Sequence, residues 1–234
     1  MHKKVICMIP ARIGSQRFKK KNLAIIQEKP ILSWGIEAAL NSNIFDEVII
    51  NGDDDLFKNI SNSYGLRYHN RESELASSKA KSDDVVNDFL EVFNCDYIVW
   101  FNAIAPLQTF HDINGFVKKL LEKESESIFS IKTENIQCLY KNNPLNFSTS
   151  EKFSKTQDLS PIKLFIPSMM GWESNSFKRK YLANQYGFFS GKVGYYEIKS
   201  KLSSMVIKTE DDFRLIRSIV EGISSYNDEI KYYK

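Results

Sequence analysis

The feature that most restricts this chain is a regular alternation over its first ~130 residues: short apolar, β-prone runs separated by segments with helical periodicity. "KVICMIP" reads as a strand, and "ILSWGIEAALNS" as an amphipathic helix with Ile31, Trp34, Ala38 and Leu40 on or near one face. "EVIING" is the next strand, and "DDDLFKNISNSYG" a helix opened by acids and stopped by Gly65. "LRYHN" comes next as a short strand, then "KSDDVVNDFLEVF" as a helix that Ser82 is placed to cap. "DYIVWFNA" has the apolar, β-branched character of a central parallel strand, "FHDINGFVKKLLEKE" is a helix and "SIFSIKT" a strand. This order predicts an α/β fold: three layers, with a mostly parallel, Rossmann-like sheet between helices.

Residues 136–172 break the rhythm. They are polar and rich in Asn, Ser, Lys and Pro, which predicts long loops or a flap. After them "YGFFSGKVGYYEIKS" precedes "SSMVIKTEDDFRLIRSIVEGI", a strand leading into a helix, and the final "SSYNDEIKYYK" is expected to fray. The length of 234 residues suits a single domain over 1–234, with 136–200 as a flap or dimerisation region. In such sheets ligands sit beyond the carboxyl ends of the strands, so residues 10–22, 51–55 and 102–108 are expected to converge.

Charge decides which ligands are plausible. Lys plus Arg number 32 against 29 Asp plus Glu, a net +3, so no nucleic-acid partner is indicated. The cations are instead concentrated locally in residues 12–21. No apolar run approaches the ~20 residues that span a bilayer, so no membrane partner is expected. Cys7, Cys95 and Cys138 are odd in number and widely spaced, which suggests reduced thiols and a cytoplasmic setting. The loop "PARIGSQRFKKKN" succeeds the first strand and has Arg12, Gly14, Ser15, Arg17 and Lys21, a composition suited to a polyphosphate. It is neither a Walker loop nor a Gly-x-Gly-x-x-Gly turn.

"IPARIGSQRFKKKNL" resembles the Pro-Ala-Arg-Gly-Gly-Ser-Lys-x-x-x-x-Lys-Asn-Leu signature of the acylneuraminate cytidylyltransferases, the CMP-sialic acid synthetases, with CMP-Kdo synthetases more distant. Pro10, Ala11, Arg12, Gly14, Ser15, Lys21, Asn22 and Leu23 agree without a gap, and the likeness continues in order from about residue 4 to 220. It implies transfer of CMP from CTP to an acidic sugar, a 2-keto acid of the sialic type, with release of pyrophosphate and a CMP-sugar for surface glycans as product. It implies that Arg12 and Lys21 neutralise the triphosphate and that Ser15 and the Ala11–Ser15 backbone cradle it. Asn22, Arg71 and Asn102 would hold the nucleotide, and Lys155, Gln157, Phe188 and Phe189 the acceptor. Magnesium is the implied cofactor and a homodimer the implied assembly.

The pattern also breaks. The family's closing Asp-Ile-Asp-Thr-Glu-x-Asp, whose leading carboxylates hold Mg²⁺, reads "VIKTEDD" here, with Val206 and Lys208 at those positions. Gln16 replaces a lysine, "NAIAPLQ" replaces Gln-Pro-Thr-Ser-Pro-Leu-Arg, Lys155 and Thr156 stand where arginine is expected, and "IPSMMGWE" replaces an Asn-Gly-Ala run. Three readings are open. Lys208 supplies in cis some of the charge the metal would bring and is then catalytic, or carboxylates elsewhere (Asp53, Asp54 or Asp212) recruit the metal, or the chain binds a nucleotide without turning it over. A nucleotidyltransferase with a different acceptor, such as a sugar 1-phosphate, is a further alternative. The intact anion-binding residues favour an active enzyme with an altered acceptor.

Overall fold

The computed structural model describes residues 2–223; the expected frayed end falls outside them. β1 (Val5–Ala11) leads through the charged loop and the small pair β2 (Ile25–Ile26) and β3 (Lys29–Pro30) into α1 (Ile31–Asn41). β4 (Glu47–Gly52), α2 (Asp55–Ser63), β5 (Arg67–Asn70), α3 (Ser73–Ala76), α4 (Ser82–Val92), β6 (Tyr97–Phe101), α5 (Phe110–Leu121) and β7 (Ser127–Glu134) continue the alternation. A hairpin, β8 (Leu139–Tyr140) with β9 (Asn143–Pro144), precedes β10 (Ile162–Glu173), α6 (Ser174–Asn184), β11 (Val193–Glu197) and α7 (Glu210–Ile223). The main sheet has seven strands in the order β11-β7-β10-β6-β1-β4-β5, and among the described residues only β10 runs against the others. No helix among the described residues is long and apolar enough to cross a membrane.

Alternation along β1 shows how the layers form. Val5, Cys7, Ile9 and Ala11 join one core with α1, α2 and α5, while Ile6 and Met8 join the other with α4 and α6. Burying a side chain of this size contributes about 1.5–3 kcal/mol, so a strand buried on both faces is specified strongly. The three-layer α/β architecture is therefore as expected. A third cluster, Ile26, Ile31, Ile207, Ile216 and Val220, fastens α7 beside the charged loop.

Several local expectations need correction. Leu32, Ile36 and Ala39 of α1 face the sheet, while Ile31 and Trp34 face α7, so the helix is buried on two sides; Leu40 is exposed. Ser82 is not a cap: α4 starts at it, after Lys81, which offers no side-chain capping bond. Residues 205–208 do not form a strand, although Ile207 N–H bonds Ile104 O at 2.8 Å.

The largest correction concerns residues 162–172, expected as loop or flap. They form β10, paired with both β6 and β7, and Ser168–Trp172 are buried in the sheet. The register against β7 slips between Phe165 and Met170, around Pro167. A bulge with a proline destroys the period-2 pattern by which a strand is read. Ser130 Oγ stitches the bulge, donating to Ile166 O at 2.6 Å and accepting from Met169 N–H at 3.1 Å.

Gly35 is where α1 meets the end of β6. A Cβ there would lie 2.6 Å from Ala103 Cβ and 2.8 Å from its Cα. We predict that Gly35→Ala lowers stability by about 1–3 kcal/mol through overpacking, despite alanine's better helix propensity. A reduced denaturant midpoint is the expected result; an unchanged midpoint contradicts this packing.

Candidate active site

The charged loop is held at both ends. Beyond β1, Ile13 N–H donates to Asp53 Oδ1 at 2.9 Å, tying the loop to the segment after β4. Ser15 N–H turns back to Ile13 O at 3.0 Å, and Arg12 Nη1 reaches Ser77 O at 3.1 Å. At the far end Lys20 takes a left-handed φ of 51° before the 3₁₀ turn Lys21–Leu23. Phe18 packs on Phe213 of α7, with ring centroids 5.4 Å apart. Lys21 Nζ crosses to Ile207 O at 3.0 Å, joining the loop to the segment before α7.

The neighbouring strand ends supply the other walls. Arg71, past the end of β5, is buried; its Nε donates to Asn51 Oδ1 at 2.7 Å and its Nη2 to Asn51 O at 2.9 Å. Among the described residues no carboxylate lies within ion-pair distance of it. Asn102, after β6, is fixed by the β10 bulge: its N–H donates to Ser168 O at 2.7 Å and its Nδ2 to Pro167 O at 3.2 Å. One side-chain donor is thus already committed to the protein.

These segments enclose a cavity of about 560 Å³. Pro10, Arg12, Ser15, Lys21, Asn22, Arg71 and Asn102 all line it, so the fold brings these candidate residues together. Ala11 is buried beneath the loop, and Gly14 lines a smaller cavity on the other side of Arg71. The sequence reading missed Trp100, Ile104, Ser77, Lys81 and Ser82 in the wall. Position was the available signal, since the first two flank Asn102 at the end of a central strand. Arg12, Arg17, Lys21, Arg71 and Lys81 line the cavity, and no lining residue among those described is acidic. Leu75, Ala80, Val85, Trp100 and Ile104 give it an apolar part.

Burial and the crowding of cations show in the titration of the site. Burial, with repulsion from Arg17, Arg12 and Lys208, lowers the Lys21 pKa to about 8 against the opposing pull of Asp212. Burial likewise draws Arg71 down to about 10, partly offset by Asp53, so it stays charged at neutral pH.

A metal set held by the protein does not fit these residues. Mg²⁺ takes oxygen ligands, which the side chains of Val206 and Lys208 lack. Asp212 Oδ2 accepts from Lys208 N–H and Thr209 N–H, both at 2.8 Å, and from Thr209 Oγ at 3.0 Å, which starts α7. Burial opposes its ionisation, but those donors outweigh it and keep the carboxyl below its ordinary value. Asp53 Oδ1 is used by Ile13, and Asp54 caps α2 through Leu56 N–H at 2.9 Å. Among the described residues no three His, Cys, Asp or Glu are grouped to hold a metal.

The residues expected on the acceptor side lie elsewhere in the chain. Lys155 and Gln157 are exposed around the 3₁₀ turn Thr156–Asp158. Phe188 stacks on Phe129 at 5.1 Å, and Phe189, 48% exposed, sits 5.0 Å from the same ring. None of the four lines the cavity.

The sequence profile of the cytidylyltransferase family matches residues 6–227, and the chain belongs to that family. It is 29% identical over 232 residues to the N-acylneuraminate cytidylyltransferase of Escherichia coli, covering 94% of this chain and 52% of that protein. With a pseudaminic acid cytidylyltransferase of Campylobacter jejuni it shares 33% identity over 133 residues, 54% of this chain and 57% of the relative. The chain thus spans about half the length of these curated relatives. The fold is similar to a solved CMP:2-keto-3-deoxy-manno-octonic acid synthetase complexed with CTP, at TM-score 0.69 and 14% identity, covering 94% of this chain and 99% of that one.

Because a bound polyanion favours the Lys21 ammonium, its affinity should be flat below pH about 8 and fall above it. The decline can reach about tenfold per pH unit. Calorimetric titration of inorganic triphosphate between pH 7 and about 10 checks this, and Lys21→Arg, which stays charged, should flatten the profile. A wild-type affinity independent of pH contradicts it. Without ligand the sign is opposite: the unfolded chain holds more protons between the folded pKa of about 8 and the ordinary 10.5, so Lys21's contribution to stability rises with pH there.

Proposed function

We propose that this chain transfers CMP from CTP to an acidic sugar, a 2-keto acid of the sialic type, and releases pyrophosphate. The observation that carries the reading is a cavity at the carboxyl ends of parallel strands, rich in cations and free of acids among the residues that line it, in a chain of the cytidylyltransferase family.

The reaction forms one bond, from the acceptor hydroxyl oxygen to the α-phosphorus, and breaks the bond from that phosphorus to the bridging oxygen of the leaving pyrophosphate. The hydroxyl proton passes to water or to the released pyrophosphate. Arg12, Lys21 and the Ala11–Ser15 backbone take the charge that builds on the phosphates, with Gly14 and Ser15 shaping the turn. Asn22 and Arg71 orient the nucleotide. The apolar wall around Val85 suits the base, and Asn102, which lines the same cavity, helps to hold the nucleotide. Most of the rate then comes from positioning and charge stabilisation. Bound magnesium would supply charge to the phosphates; the steps assigned here belong to the chain's own residues.

The acceptor residues Lys155, Gln157, Phe188 and Phe189 are proposed to act across a homodimer. Exposed Phe165, Tyr195 and Phe189 form a continuous aromatic face at this side of the sheet, with Phe165 and Tyr195 rings 5.9 Å apart and Phe165 and Phe189 rings 6.4 Å apart. Such a face supports association of the 136–200 region with a second copy. A monomer at every concentration in sedimentation would remove this part.

The test is pyrophosphate release from CTP with a panel of 2-keto sugar acids. Turnover with at least one acceptor is expected, and Lys21→Ala should lower kcat/KM by about 10²–10³ through lost charge stabilisation. CTP binding with no pyrophosphate from any acceptor would replace the transferase by a nucleotide-binding role.

A further inference from the structure

A polyphosphate site needs positive charge, and this one has an unusual source for it. Of the described residues lining the cavity five are cationic and none is acidic. The carboxylates nearest the loop are engaged, Asp53 by Ile13 N–H and Asp212 by three donors. The segment carrying Lys208 is pinned. Ile207 is fully buried, its N–H is bonded to Ile104 O, and its carbonyl accepts from Lys21 Nζ. Lys208 N–H is held by Asp212. The Lys208 backbone therefore lies one residue from the carbonyl that accepts from Lys21 Nζ, and its side chain is exposed and is not among the residues that line the cavity.

We infer that this chain does not hold a divalent cation with its own side chains, and that Lys208, whose backbone is held next to Lys21, swings its side chain to the phosphates and provides positive charge in place of the metal. The inference rests on the triphosphate reading of the cavity. In consequence the metal-free ligand, which carries more negative charge than its magnesium complex, binds at least as tightly. Any magnesium in the complex arrives on the nucleotide.

The experiment is calorimetric titration of the full chain with CTP and with inorganic pyrophosphate, each in EDTA and in MgCl₂. It is repeated on Lys208→Ala and Lys208→Asp, and Mn²⁺ binding without nucleotide is measured by electron paramagnetic resonance. Wild type should bind both ligands in EDTA at least as tightly as in Mg²⁺, and take up no stoichiometric Mn²⁺ alone. Lys208→Asp should weaken binding in EDTA by about tenfold or more, with a smaller loss in Mg²⁺, and Lys208→Ala should fall between. Lys208 is exposed, so neither variant threatens the fold. Stoichiometric Mn²⁺ on the nucleotide-free wild type, or binding of both ligands only with Mg²⁺, overturns the inference. Pyrophosphate has no base and no acceptor, so a failure of cytidylyl transfer leaves that result standing.

Discussion

Parallel pairing of β1 with both β4 and β6 sets three neighbouring strand ends at one edge of the sheet, and the segments leaving those ends assemble the site. From β1 comes the cationic loop, from β4 Asn51 and Asp53, and from β6 Asn102. Asn51 orients Arg71, Asp53 holds Ile13, and Asn102 is fixed by the β10 bulge. Asn51, Asp53, Arg71 and Asn102 are thus each held by backbone or by a neighbour, which is how a preorganised site avoids reorganisation when charge develops.

Holding several cations together without a ligand is unfavourable, and the fold has to offset it. Packing does so. Phe18 on Phe213, and Ile207 within the third core cluster, keep the loop and the α7 segment together while Lys21 and Lys208 repel. The hydrogen bond from Lys21 to Ile207 O takes the place of a counter-ion until a polyanion arrives. The lowered Lys21 pKa reflects its burial first and this crowding of cations second.

How far the sequence could be read depended on how local the information was. The loop from Pro10 to Asn22 was legible as a cationic cluster at a strand end because its residues are neighbours in sequence and need no long-range contact to be grouped. The alternating elements through β7 were legible by period. β10 was hidden by the bulge at Pro167, and α6 by a sequence with little amphipathic pattern. Ser82 was assigned a capping role that its position inside the helix excludes. Trp100 reads as an ordinary core residue of β6, and only the tertiary fold shows it in the cavity wall. Lys208 stood out at once as a break in pattern, but the commitment of Asp212 to starting α7 is visible only in the folded chain.

In the proposed reaction the α-phosphate of CTP leaves this cavity on an acidic sugar. Isotope tracing decides it, using CTP with radioactive phosphorus at the α position in one reaction and at the γ position in another, with the acceptor products separated afterwards. Cytidylyl transfer puts the α label on the sugar and the γ label in pyrophosphate. Transfer of γ label to the acceptor, or α label remaining in CTP with every 2-keto sugar acid tried, would rule that reaction out.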